Sequence, residues 1–308
     1  MLTSFFGKSK PVNYVLVAAF MALFFLGHYF KSTETIESFS EIAFQVGMLL
    51  IFLLTMLLVD FISRKNKLTY NNTYLIVVFG IFITTIPASF LNAKVLVAHF
   101  FILLALRRMI SLRSQKDVQK KLFDAALWIS LASCFYFWSF LFVIFLFGSI
   151  VALVGRNFKN YVIPFVGMAT VIILSNVYTL LVQNTFYSPL DWIEIPGFDF
   201  TSYNQFSLLL PASVFFTVML WLSGHFLFKR KVKNKKQKTK NFQLYSLTLI
   251  ALAIVIFTPH KNGSELAFSA MPFAVLTTNY LETKEEKGFK ELLLWLLVLL
   301  PFLILFIQ

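Results

Sequence analysis

Apolar residues fall along this chain in long unbroken runs, not at the spacing of a half-buried surface helix or strand. Residues 14–30, 42–59 and 292–307 each have about the length a helix needs to cross a ~30 Å hydrocarbon core at ~1.5 Å per residue. The same pattern predicts helices at about 12–30, 42–62, 161–182, 206–228, 242–258, 266–281 and 291–307, each bounded by polar or charged residues. Two further stretches, 73–106 and 123–154, exceed thirty residues: too long for one ordinary span and short for two. The expected class is all-α, a polytopic transmembrane helix bundle.

Charge resolves the two long stretches. Lysine and arginine flanking membrane spans collect on the cytoplasmic side. The clusters Arg64/Lys65/Lys67, Arg107/Arg108/Arg113/Lys116/Lys120/Lys121, Arg156/Lys159 and the run 229–240 share one side only if each long stretch is a hairpin of two short helices. The turns are then expected near 92–94 and near 137–138. The count becomes about eleven helices, with the amino terminus cytoplasmic and the carboxyl terminus external. Only Lys31, Lys94 and Lys261 fall outside, leaving twenty-four of the 27 basic residues inside. A re-entrant hairpin would give the same sidedness as two short spans.

Composition agrees. Charged residues make up 13% of the chain, about half the share that covers a soluble surface, so residues 1–308 read as one transmembrane domain. The apolar run after Lys8 and Lys10 is too long for a signal-peptide core and lacks a small-x-small cleavage site, so it is expected to be a retained first helix. The single cysteine, Cys134, excludes an intrachain disulfide. No Walker A loop, GxGxxG, CxxC, HExxH or GxSxG is present, so no cofactor and no metal are expected.

The polar residues that carry chemistry are few. In the first outer loop, Glu34, Glu37 and Glu41 share a face if the second helix begins early, and would then offer a general base or oxygen ligands for a metal ion. Ser38 and Glu41 also form a capping box, which explains the acids without chemistry. The external loop 183–205 sets Asp191, Glu194 and Asp199 among Phe186, Tyr187, Trp192, Phe198, Phe200 and Tyr203, as a sugar site or an interfacial belt would. Near the end, His260, Lys261 and Glu265 sit in a turn shaped by Pro259 and Gly263; with Lys31 they could grip a lipid phosphate, or simply make a tight turn.

Gln45, His99, Asn176 and His225 are the intramembrane polar residues, expected to bond neighbouring helices. No acidic or basic chain crosses the predicted core as a proton relay requires, while Asp60 stands at helical spacing from Arg64. The basic cytoplasmic loop 229–240, from Lys229 to Lys240, should hold anionic headgroups, at about 1 kcal/mol per residue. It lacks the interleaved aromatics of a nucleic-acid platform, and no nucleic-acid partner is expected. Met109, Ile110, Leu112 and Val118 in the loop 107–121 predict a short amphipathic surface helix.

The passage from ALRRMISLRS to FDAALWISLASCFYF, with the closing PHKNGSELAFSAMPFAVLTTNYLE, resembles an uncharacterised family of flavobacterial (Bacteroidota) inner-membrane proteins of about 300 residues. That resemblance implies a cytoplasmic-membrane location. The closing segment is also similar to the last helices of GT-C-type polyprenyl-phosphate glycosyltransferases, which implies a catalytic carboxylate in the first outer loop, where Glu34, Glu37 or Glu41 would stand. The first outer loop here is about eleven residues, without room for the amphipathic helices of those enzymes. The leading expectation is a non-catalytic subunit or scaffold of a cell-envelope assembly with membrane-protein partners. The alternatives are an outer-face enzyme of lipid-linked glycan assembly, and a transporter or flippase for an amphipathic substrate.

Overall fold

The chain is an all-α helical bundle, seen in a computed structural model that describes residues 2–32, 38–155, 157–186, 188, 192–229, 235–283 and 286–307. In order come α1 (Leu2–Phe6), α2 (Pro11–Ser32), α3 (Phe39–Asn66), α4 (Tyr74–Thr84), α5 (Ala88–Leu91), α6 (Ala93–Ile110) and α7 (Val118–Phe135). They are followed by α8 (Phe142–Ser149), α9 (Lys159–Gln183), α10 (Phe206–Lys229), α11 (Lys235–Phe257), α12 (Ala270–Thr283) and α13 (Lys287–Ile307). No strand occurs among the described residues.

Both long apolar stretches break where the charge argument places the breaks. In the first, Pro87 disfavours helical backbone at Ile86, α5 makes one turn, and Asn92 goes extended with its Oδ1 accepting from Val95 N at 3.3 Å. In the second, Tyr136 is extended and residues 137–141 form a 3-10 turn. No glycine or proline marks this second break. Side-chain partners hold it instead: the Tyr136 hydroxyl meets Thr258 Oγ1 at 2.9 Å, and the Trp138 ring stacks on Phe257 at 6.1 Å.

Eight helical segments among the described residues are long and apolar enough to cross a membrane, fewer than the eleven expected spans. The others have identifiable reasons. α4 has only 11 residues and α12 only 14, and α7 carries Lys120, Lys121 and Asp124 in its first two turns. Nor do residues 107–121 form a separate surface helix. α6 continues to Ile110 and a 3-10 turn follows, with Met109, Ile110 and Leu112 buried in the core.

The helices gather into two compact units interleaved along the chain: residues 1–96, 199–234 and 261–308 in one, 97–198 and 235–260 in the other. In the first unit α4 and α12 form a central pair, flanked by α2, α3, α10 and α13. Every residue of α4 is buried. Phe82, Phe215 and Phe273 lock α4, α10 and α12 together with ring centroids 4.3–5.1 Å apart. Gly80 lets α2 approach, since a Cβ there would meet Val17 Cγ1 at 3.0 Å.

At one end of this unit polar groups join the helices. Glu291 of α13 accepts from Leu2 N and Thr3 Oγ1, both at 2.6 Å, and holds α1 down. Glu282 of α12 accepts from Tyr70 N at 2.8 Å and Asn72 Nδ2 at 2.6 Å. Asp60 and Arg64 pair at 2.8 Å as their spacing predicts, with the Tyr14 hydroxyl donating to Asp60 at 2.8 Å.

In the second unit the principal contact is α7 against α9. Small residues permit it: a Cβ on Gly167 would stand 2.8 Å from the Phe123 carbonyl oxygen and 3.0 Å from Ala126 Cβ. Close approach over small side chains is the usual way helices associate where lipid supplies no hydrophobic drive.

Candidate functional site

Two neighbouring segments of the first unit bring together Asp199, Lys261 and Glu265, charged residues that the sequence marks as chemical. Thr201–Asn204 form a 3-10 turn after Asp199, whose Oδ1 accepts from Thr201 N at 2.9 Å. That amide and hydroxyl, more than the nearby Lys261, hold the exposed Asp199 carboxyl below its usual range. The turn presents Phe200 and Tyr203 to the second segment, 261–265.

There, Asn262 Oδ1 accepts from Ser264 N at 3.0 Å and from Ser264 Oγ at 2.6 Å, an Asx turn that starts the helical rise into α12. Gly263 sits at φ 89°, and a Cβ would stand 2.4 Å from Leu208 Cδ1. Only glycine satisfies both constraints.

The turn delivers Lys261 and Glu265 inward. Lys261 is 3% exposed, and its ammonium lies 4.4 Å from the centre of the Phe200 ring, a cation–π contact. Burial pushes its pKa down, opposed by the negative charges of Glu265 and Asp199. Glu265 is fully buried; its Oε1 accepts from the Tyr203 hydroxyl at 2.8 Å, while Oε2 has no hydrogen-bond partner among the described residues. Burial pushes the Glu265 carboxyl up; its own amide, the Tyr203 hydroxyl and the amides of Asn262 and Gly263 oppose this. The arrangement is thus a buried acid and a buried base bridged by aromatic side chains. It can hold a proton, but neither group is open to a bulky substrate.

The other marked residues are dispersed. Glu34 and Glu37 lie outside the described residues. Glu41 is exposed, and its amide donates to Ser38 Oγ at 3.4 Å, the cap expected from the sequence. Lys31 Nζ donates to the Leu305 carbonyl at 3.2 Å, near the end of α13. His260 is exposed. Gln45 is half-buried on α3, while His99 of α6 is buried at 1% exposure. Asn176 bonds within its own helix, donating to the Ile172 carbonyl at 3.0 Å. His225 lies in α10, but its side chain is outside the described ones, as are residues 230–234 of the basic loop.

One buried histidine carries no mark in the sequence reading. His28 of α2 is 4% exposed among Phe24 and Phe90, with Nε2 unpartnered among the described residues. Its only sequence signal is a histidine within an apolar run.

Residues 1–308 match DUF6427, a family of unknown function. The chain belongs to that family. No curated protein and no solved structure matches it. Membership therefore agrees with the resemblance to an uncharacterised family and brings no activity for the buried cluster. Among the described residues of this family member, no three His, Cys, Asp or Glu side chains group as a metal site would require.

Proposed function

We propose that this multi-pass membrane protein is a non-catalytic subunit or scaffold of a cell-envelope assembly in the cytoplasmic membrane. The burial of Lys261 and Glu265 supports this reading. These groups are packed on Phe200 and bonded to Tyr203, where they fasten two segments of one unit instead of facing a substrate. Elsewhere too, charged groups join segments: Glu291 holds α1, Glu282 holds the turn before α4, and Lys31 meets the end of α13. The orientation follows from the basic clusters, with residues 65, 115, 158 and 235 cytoplasmic and 36, 93, 195 and 262 external.

Two experiments test the proposal. Purified from native membranes in mild detergent, the chain should carry stoichiometric membrane-protein partners; recovery as a lone chain with lipid-phosphate transferase activity would overturn it. Reporter fusions at the eight positions should follow the stated sidedness, and an external reading at 115 with a cytoplasmic one at 65 would break the double-hairpin arrangement.

One observation favours a second reading, an outer-face enzyme acting on a lipid-linked phosphate. A fully buried carboxylate with an unpartnered oxygen costs about 1–3 kcal/mol, and such a cost is sometimes retained for chemistry. Under that reading, Lys261→Ala abolishes function while expression and detergent stability persist. As a structural fastening, the same substitution lowers stability and function together.

A further inference from the structure

Three segments of the second unit meet at the end of α11. The apolar span of that helix closes at Phe257. From the turn between α7 and α8, the Trp138 ring stacks on Phe257 and the Tyr136 hydroxyl meets Thr258. The third segment is the stretch 193–198, which is neither helix nor strand. Gly197 pins it: its amide donates to the Phe257 carbonyl at 3.1 Å, and a Cβ there would stand 2.6 Å from Pro259 Cα. The Phe198 ring meets Phe257 edge-on at 6.0 Å.

On either side of the pin, large apolar side chains are left uncovered. Ile193, Ile195 and Phe198 are 58%, 82% and 63% exposed. Two spans set the level at which this happens. The span of α11 ends at Phe257, and the span containing α8 begins at Phe137. A stretch bonded to Phe257 therefore lies at the boundary between hydrocarbon and water, not in a loop raised above it. Its irregular backbone can sit no deeper, because amides and carbonyls outside a helix need water or headgroups as partners. Tyr136 and Trp138, at the same end, are of the residue types that collect at that depth.

We infer that residues 193–198 are an interfacial anchor. Ile193, Ile195 and Phe198 insert into the bilayer face at which α11 ends and reach the first acyl methylenes, while the backbone stays among the headgroups. What this anchor recognises is the apolar part of a phospholipid interface. It does not read headgroup charge: the stretch holds no lysine or arginine, and Glu194 is repelled by an anionic surface. The basic loop 229–240 works in the opposite way. A protein partner is the competing occupant of the patch; its position level with the ends of two spans favours lipid. The anchor stands whether the chain is a scaffold or an enzyme.

The test uses the full chain in phosphatidylcholine vesicles. Cys134 is the only cysteine, so Cys134→Ser leaves a background that takes one fluorophore at a time. Ile193→Cys, Ile195→Cys and Phe198→Cys serve interchangeably, all at exposed positions, with exposed Lys116→Cys as the polar control. An environment-sensitive label on the stretch should emit at shorter wavelength than one at 116 and resist quenching by aqueous iodide. A phospholipid with its nitroxide near the glycerol should quench it more than one with its nitroxide near the end of the acyl chain. Replacing part of the phosphatidylcholine by phosphatidylglycerol should not strengthen that quenching. Iodide access equal to that at 116 puts the stretch in water and overturns the anchor. Shielding from iodide and from both nitroxides puts protein over the patch and overturns it equally. Stronger quenching by the deep nitroxide overturns the headgroup level, and a gain with phosphatidylglycerol overturns the apolar basis of recognition.

Discussion

Helices α12 and α9 are opposites in a way their sequences disguise. α9 has 25 residues, and only 11% of its most apolar window is buried. Ile173, Leu174, Tyr178 and Leu181 all stand more than half exposed. α12 has 14 residues, among them Thr277, Thr278 and Asn279, and every residue from Ala270 to Leu281 is buried. The more polar helix forms the core and the more apolar one faces outward. In water this order would be perverse. In a bilayer the outward face must match hydrocarbon, whereas the interior accepts an amide that bonds its own helix, as Asn279 does to the Val275 carbonyl at 2.7 Å. Hydropathy therefore reports contact with lipid here, not position in the core.

That contrast predicts a graded set of mutational costs. The largest should fall on the core pair: Phe273→Ala removes a fully buried ring packed on Phe82 and Phe215, at a cost of about 3–5 kcal/mol in detergent unfolding. A cost below 1 kcal/mol would mean that the α4–α12 pair is not a core. Next comes the single packed face of α9. Gly167→Val drives a side chain into the Phe123 carbonyl at a cost of about 1–3 kcal/mol. If Gly167→Val is neutral, α9 is not seated on α7 as described.

The turn leading into α12 sharpens the comparison through pH. The Glu265 carboxyl is raised by burial above its ordinary 4.5, so the folded state binds more protons than the unfolded one in the window above 4.5. Stability from this group is present below that value and lost as pH rises through the raised pKa. Glu265→Gln should flatten that fall, leaving the midpoint level where the wild type loses a few degrees between acid and neutral pH. An unchanged slope in the Gln variant would place the titration elsewhere. The smallest effect belongs to the outward face of α9. Leu181 is 79% exposed, and Leu181→Ala should cost less than about 0.5 kcal/mol in detergent. A larger loss would reveal a packed partner on that face.

Several features were legible from local sequence. Ser38 caps α3 because a hydroxyl placed before an apolar run meets the first free amides. Asp60 and Arg64 pair because four residues return a helix to the same face. The breaks near 92 and 137 followed from charge balance, a constraint imposed by the membrane and not by the local residues. The candidate site was only half legible. Lys261 and Glu265 drew notice through their charge and the flanking Pro259 and Gly263. Tyr203 and Phe200, some sixty residues earlier, looked like interfacial aromatics. No periodicity links an aromatic in one loop to a carboxylate in another.

The amino-acid sequence by itself determined that this chain is a membrane-embedded helical bundle, and that its two long apolar stretches break near 92 and 137. Those properties depend on transfer to hydrocarbon, on helical spacing and on capping, which act within a few residues. Only the tertiary structure decided that α4 and α12 lie at the centre of one unit, that Gly167 seats α9 on α7, and that Lys261 and Glu265 point inward. Each depends on which surfaces meet. In a chain where lipid-facing and core-facing residues are both apolar, that choice leaves almost no trace in hydropathy and is made by the fit of small and aromatic side chains.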